Sequence, residues 1–477
     1  MLHCDTPMKG NHMRTTRRRR FLPLAAGTAA LALALSACGS AGGEAGGDSA
    51  APAADVLEQA DGVTEVNFWH SMDGTNGETL DALITDFNDA NQGKIEVKGV
   101  YQGDYDTTIT KYKAAVQSNS TPTMVQIYDI GTQFMIDSGA VLPTQAFIDR
   151  DKYDVSDLQP NIAGYYSIND ELWSMPFNTS MPVLYYNKTL FEAAGLNPET
   201  APETLDEVGA AADQLSKVNG GPAEFGFNAA IYGWLLEQEI AASGELYCSP
   251  DNGRSGERAT EYTLNNDSAV EFVDWWKDLV ATGVAGNTGR VTADAQNAFK
   301  SGTIGMTLES TGALRGMQKA AEEQGFELGV GFYPKIEEND SGPIIGGASL
   351  WVSGEGHSDA EKEASWQFMQ YLAEPATQAT WHTGTGYFPI SKAALDEPKD
   401  VEWREQYPQF DVAVQQLEAT ELTSATQGCS AGSMPQARKA AEDALEGALL
   451  GGDSKSELTD AVTELQREVE NYNNSVQ

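Results

Sequence analysis

Basic residues are what this sequence is short of. Its 477 residues carry 30 Lys and Arg against 70 Asp and Glu, a formal net charge of −40. The first 37 residues hold six of those bases and one of the acids, so the remainder is more acidic still. Such a surface repels nucleic acid and anionic lipid, which excludes nucleic-acid binding. An anion site would have to be local, acting within a Debye length of about 10 Å. Histidine and cysteine are scarce too, at five and four. No Cys-x-x-Cys pair, His-Glu-x-x-His, phosphate-binding loop or EF-hand loop occurs, so no metal site, cofactor or thiol chemistry is expected. Gly428-Cys429-Ser430-Ala431-Gly432 matches the G-x-S-x-G hydrolase pattern. The stretch before it, 423–427, is polar rather than a buried strand, and no histidine follows Ser430. His70, Ser71 and Asp73 crowd triad residue types into one loop, where neighbours rarely reach the geometry required. The expectation is a protein that is not an enzyme, with a surface-attached hydrolase or phosphodiesterase as the rival of another class.

Long apolar runs are absent except near the N-terminus. From Met13 a basic stretch leads into a Leu/Ala-rich run of signal-peptide length that ends in Leu35-Ser36-Ala37-Cys38. That ending looks like a bacterial lipobox and implies cleavage before Cys38, a lipid on its sulfur and attachment to the cell membrane. Met13 is a candidate true start, and Arg18 to Leu22 weakly resembles a twin-arginine signal. Residues 1–37 are therefore read as signal peptide and 38–60 as a lipidated cysteine with a flexible Gly/Ala/Ser-rich tether. Cys248 and Cys429 remain, an even pair in an oxidising compartment. They are either bonded across a loop of about 180 residues or left as two thiols.

At this length two or more lobes are expected. A strand over 63–69 precedes an amphipathic helix with Leu80, Leu83, Ile84 and Phe87 at helical spacing. A strand over 94–101, a helix over 107–117 and a strand over 124–129 follow. This alternation predicts a largely parallel α/β sheet. Further strands are predicted over 182–187, 305–309, 328–333 and 344–352. Helices are predicted over 190–194, 205–217, 267–280, 310–323, 360–372, 435–449 and 456–470.

The candidate binding chemistry is an arginine and a set of aromatics. Ser433-Met434-Pro435-Gln436-Ala437-Arg438 reads as an N-cap, an early proline and an arginine one turn into a helix. A guanidinium beside a helix start can seat phosphate or carboxylate, although Arg438 could also pair with Glu442 at i, i+4. Tyr105, Trp234, Trp351 and Tyr387 sit in or beside loops. Aromatic faces of this kind commonly hold sugars and polyols, although each could equally fill core.

Seven segments carry a resemblance: Phe68-Trp69-His70-Ser71-Met72, the stretch from Gln126 to Gly131, Pro176 to Ser180, Pro182 to Lys188, Ile344 to Val352, Thr385 to Ile390 and Met434 to Arg438. Over about 63–470 the chain resembles the extracellular solute-binding lipoproteins of ABC importers, the family that includes the maltodextrin-binding proteins. Within that family it is most similar to the branch that binds glycerol-3-phosphate and glycerophosphodiesters. The resemblance implies an α/β two-lobed clamshell (type II, family 1) with three crossovers, near 177–182, 308–311 and 349–353. It places 61–178 plus 309–350 in lobe 1 and 179–308 plus 351–477 in lobe 2. It also implies a monomer that closes on its ligand and delivers it to membrane permease subunits. Carried over, the pocket would use Tyr105, Asp129, Ser180, Trp234, Ser310, Gly347, Tyr387 and Arg438. Arg438, Ser310, the Gly347 N–H and Tyr387 would meet a phosphate, Asp129, Ser180 and Tyr105 would bind glycerol hydroxyls, and Trp234 would stack over the ligand. Asp129 stands where the branch commonly has Glu, and Ile231 where it has a second Trp. Both changes are expected to enlarge the cleft toward a diester such as glycerophosphocholine. An oligosaccharide receptor of the same superfamily is the alternative.

Overall fold

The structure is a computed structural model that describes residues 50–336 and 341–476. The expected signal peptide, Cys38 and the start of the tether lie outside the described residues. The end of the expected tether is not free. Pro52 is buried, and its carbonyl accepts a hydrogen bond from Arg150 at 2.7 Å, while Leu57 packs against the core.

The strands of the two main sheets are, in chain order, β1 (Thr64–His70), β2 (Ile95–Tyr101), β3 (Met124–Tyr128), β4 (Val141–Leu142), β5 (Met175–Ser180), β6 (Pro182–Asn187), β7 (Phe225–Ala229), β8 (Ala285–Asn287), β9 (Ile304–Ser310), β10 (Leu328–Gly331) and β11 (Gly346–Ser353). The first sheet runs β2-β1-β3-β11-β4, with β5 also paired to β11. The second runs β8-β7-β9-β6-β10. In each, three strands are parallel (β2-β1-β3 and β8-β7-β9) and the rest antiparallel. The sheets are thus mixed rather than largely parallel. Apart from the short β4, the antiparallel strands are those next to which the chain passes from one sheet to the other, a pairing that local alternation does not encode.

Those passages also correct the expected boundaries. The first falls at Met181, between β5 and β6, as expected. Near 308–311, however, the chain stays with the second sheet. The Leu314–Gln324 helix buries Leu314, Met317 and Ala321 against Val183 and Tyr185 of β6, and β10 pairs with β6. The second passage lies between β10 and β11. Near 349–353 the chain remains in the first sheet, and the Asp359–Ala373 helix packs Trp366, Phe368 and Met369 into that sheet's core. The third passage comes after Thr385, where the Gln409–Ala419 helix gives Phe410 to one core and Ala413 and Leu417 to the other.

Most predicted elements stand within a few residues. The Gly74–Ala90 helix buries Leu80, Leu83, Ile84 and Phe87, one stripe at helical period. The Asp359–Ala373 helix opens with a reciprocal capping box between Ser358 and Glu361. The Gly233–Ala242 helix was not predicted, because all ten of its residues are buried and no amphipathic period marks it.

Cys248 and Cys429 form a disulfide with Cα atoms 5.7 Å apart. Beside it the Arg254 guanidinium donates to the carbonyls of Tyr165, Gln427 and Gly428. Together they tie down the loop that leads into the Met434–Leu449 helix. Ser433 takes the N-cap position but makes no capping bond, since its hydroxyl is committed to Tyr262 at 2.8 Å.

Candidate functional site

A cavity of about 550 Å³ opens where the parallel strands of both sheets end. In α/β sheets this is where loops leave room for a ligand. Its lining includes Ser71 after β1, Tyr101 ending β2, Asp129 after β3, Arg290 after β8 and Ser310 ending β9. All eight expected residues line this one cavity: Tyr105, Asp129, Ser180, Trp234, Ser310, Gly347, Tyr387 and Arg438. Ile231 does not. It is 1 % exposed within the core, and its neighbour Tyr232 lines the cavity instead. Cleft volume therefore cannot be argued from Ile231.

Arg438 sits differently from either reading of the sequence. Its Nε and Nη2 donate to the two oxygens of Glu237 at 2.7 and 2.8 Å. Nη2 also meets Asp129 Oδ2 at 3.0 Å, while Nη1 reaches Asp129 Oδ1 at 3.4 Å and the Tyr232 hydroxyl at 3.2 Å. All five guanidinium protons are engaged. Glu442, the expected i+4 partner, instead accepts the Gly233 N–H at 3.4 Å. A Cβ on Gly233 would lie 2.3 Å from the Arg438 carbonyl, so glycine lets the two helices close to this distance. Burial alone would pull the Arg438 pKa down, but the charges of Asp129 and Glu237 outweigh it and hold the guanidinium firmly protonated. Burial pushes the Glu237 carboxyl up, opposed by Arg438, and lifts Glu442 to about 7. The rings of Tyr128 and Tyr232 flank the guanidinium at 5.8 and 5.4 Å.

The other walls are aromatic and hydroxylic. Tyr105 starts a helix that Asp104 caps through the Thr107 N–H, and its hydroxyl lies 3.3 Å from that of Tyr387. Asn178 Nδ2 donates to Tyr105 at 2.8 Å. The Tyr387 ring stacks on Trp381 at 5.7 Å, which stacks on Phe177 at 4.6 Å, so a buried aromatic column fixes its place. Gly347 has φ +97°, and a Cβ there would stand 1.8 Å from the Asn178 carbonyl. Strand packing therefore demands this glycine whether or not a ligand approaches it. Gly346 similarly leaves room for the Trp234 ring, 2.7 Å from where its Cβ would stand.

Sequence reasoning missed Tyr232, Glu237, Asp106, Lys300 and Glu309, and named Glu442 only as a partner for Arg438. Glu237 was findable three residues after Trp234, but only once that stretch was known to be helical. Among the described residues no group of three or more His, Cys, Asp or Glu side chains could hold a metal ion. The hydrolase patterns do not assemble. The Ser430 hydroxyl bonds Gln133, and that of Ser71 bonds Thr108 while His70 Nδ1 faces the Met72 N–H.

Three comparisons bear on this site. The profile of the family described as bacterial extracellular solute-binding protein matches residues 82–411. The sn-glycerol-3-phosphate-binding periplasmic protein UgpB of Escherichia coli O6:K15:H31 is 32 % identical over 417 residues, covering 86 % of this chain and 93 % of that protein. Its counterpart in Yersinia pestis bv. Antiqua (strain Antiqua) is 35 % identical over 392 residues, 80 % and 87 % of the two chains. Among solved structures, UgpB from Mycobacterium tuberculosis in complex with glycerophosphocholine aligns with a TM-score of 0.73 at 22 % identity, covering 85 % of this chain and 98 % of that one. That likeness shows the two-lobed solute-binding fold.

Proposed function

The chain belongs to the bacterial extracellular solute-binding proteins, and from that premise we propose that it is the non-enzymatic, lipid-anchored receptor of an ABC importer for glycerophosphodiesters and glycerol-3-phosphate. The observation that carries this reading is the convergence on one cavity of eight residues drawn from segments far apart in the chain. Cys38 holds the receptor at the membrane, and the permease takes the ligand from the closed cleft of a monomer. Arg438 keeps its place in the ligand site, but its partner changes. A phosphate would have to displace a buried carboxylate from the guanidinium, and leaving that carboxylate unpaired is costly. Glycerol hydroxyls face no such barrier. They donate to Asp129, which lines the cavity, and accept from Arg438 Nη1 in exchange for its two longest bonds, to Asp129 at 3.4 Å and Tyr232 at 3.2 Å, while Glu237 keeps its two short ones. The phosphoryl group then goes to the hydroxyls of Ser310, Tyr387 and Tyr105 and to the Gly347 N–H. Six acids line the cavity (Asp73, Asp104, Asp106, Asp129, Glu309 and Glu442) against Arg290, Lys300 and Arg438. That excess favours a zwitterionic diester over a dianionic monoester.

Calorimetry on the mature protein with glycerophosphocholine, sn-glycerol-3-phosphate and maltose tests the reading. Both phosphorylated ligands bind, the diester more tightly, with neither consumed. Arg438→Ala costs at least about 1.5–3 kcal/mol, tenfold or more in affinity. Maltose binding that ignores Arg438, with neither phosphorylated ligand bound, would make the protein an oligosaccharide receptor. Turnover of the diester would make it a hydrolase.

A further inference from the structure

Three cations line the cleft, and two are neutralised where they stand. Arg438 is held by Asp129 and Glu237, and Arg290 by Asp443 and Glu446. Lys300, at the end of the Thr292–Lys300 helix, differs. Among the described residues it makes no ion pair within 4 Å, and its Nζ donates to Gln296 Oε1 at 3.2 Å. Gln296 Nε2 donates a hydrogen bond to Glu309 Oε2 at 3.2 Å, and Glu309 Oε1 accepts the Ser310 N–H at 2.7 Å. The lysine is thereby tethered to the wall that carries Ser310.

Two glycines show what lies beside that amine. A Cβ on Gly316 would stand 3.3 Å from Lys300 Nζ, and one on Gly312 would stand 2.9 Å from the Tyr387 hydroxyl. Gly312 lies in the 3-10 turn Thr311–Ala313 and Gly316 in the Leu314–Gln324 helix that continues it, four residues on and about 6–8 Å away by helical rise. Ammonium and phenol therefore reach the same short stretch of backbone about one turn apart. Ser310 precedes that stretch. Its oxygen accepts the Gly312 N–H at 3.1 Å, so its own proton remains to be donated. An ammonium, a phenol and a serine hydroxyl without a contacting carboxylate on the ammonium form an anion seat.

We propose that Lys300 is a specificity-determining residue of the cleft, seating the phosphoryl group of a polyol phosphate ester or diester together with Ser310 and Tyr387. The inference rests on the functional reading above and adds to it the one cleft cation that, among the described residues, has no carboxylate within 4 Å. It also separates two tasks: Arg438 and its carboxylates read the polyol, and Lys300 reads the charge.

The test is calorimetry on the mature protein with glycerophosphocholine and sn-glycerol-3-phosphate at low and high salt, for wild type, Lys300→Met, Lys300→Gln and Lys300→Arg. Thermal melting verifies that each variant is folded, and the Gln variant stands in if Met is not. The neutral substitutions are expected to weaken both ligands at least tenfold, the dianionic monoester more than the diester, and to flatten the salt dependence. Lys300→Arg recovers part of the affinity, which a merely structural lysine would not explain. A wild type that binds the phosphorylated ligands and a folded neutral variant that binds them equally well, with the same salt dependence, overturn the inference alone. A wild type that binds neither overturns the functional reading, and this inference with it.

Discussion

Arg438 shows how a motif can locate a residue and misstate its partners. The arginine after Met434-Pro435-Gln436-Ala437 was placed in the ligand site, and it lines the cavity. Nothing local announces Glu237, 201 positions away in sequence, as the carboxylate that accepts two of its hydrogen bonds. Truncating one member of such a buried trio leaves like charges facing each other. Arg438→Ala should therefore lower stability by about 3 kcal/mol or more. Adding Glu237→Gln should recover part of that loss in urea unfolding, whereas simple additivity of the two losses would refute the coupling. Glu239, one turn from Trp234, makes a second prediction. It is fully buried, and burial lifts its carboxyl to about 8, while the Tyr333 hydroxyl donates to it at 3.2 Å. Between about pH 4.5 and 8 the folded chain keeps a proton that the unfolded chain has released, so stability falls as pH rises through that window. Glu239→Gln should melt about 2–5 °C above wild type at pH 8 and within about 1 °C of it at pH 5. A gain independent of pH would mean the carboxyl is not held protonated.

Most elements with a visible period were legible, although the Thr292–Lys300 and Gln409–Ala419 helices, each with a buried stripe, were passed over. Helices with one apolar stripe and strands of β-branched and aromatic residues appear close to where the sequence put them. The Gly233–Ala242 helix, buried on every side, did not announce itself; the strands at the sheet passages over 182–187, 328–333 and 344–352 did, but not their antiparallel pairing, which depends on residues far away in the chain. The cysteine pair was legible as a candidate only: the sequence leaves a bond and two thiols both open, and the bond depends on a 5.7 Å Cα approach that no local pattern encodes. Its function belongs to the element it secures. The disulfide spans 181 positions and anchors the loop before the Met434–Leu449 helix, with Arg254 holding the same loop by the carbonyls of Gln427 and Gly428 and tying it to that of Tyr165. Cys248→Ser with Cys429→Ser should cost about 2–5 kcal/mol in reversible unfolding. An unchanged urea midpoint would show that Arg254 and packing suffice. At the contact between the two site helices, Gly233→Ala places a methyl against the Arg438 carbonyl. It should destabilise by about 1–3 kcal/mol and weaken ligand binding as well, because Arg438 moves with its helix. Full affinity in that variant would mean the spacing of these helices does not matter to the site.

At the scale of the whole molecule, the acidic surface and the local cation pattern point the same way. A net charge of −40 does nothing to attract an anion from a distance. On the proposed function, capture of a phosphorylated ligand therefore depends on contacts inside the cleft, and its affinity should respond to the cleft residues more than to surface charge. The most direct measurement is a crystal structure of the protein with glycerophosphocholine bound. The account predicts the glycerol hydroxyls on Arg438 and Asp129, the phosphoryl group on Ser310, Tyr387 and Lys300, and Glu237 still paired with Arg438. A phosphoryl group seated on Arg438 with Glu237 displaced would contradict it.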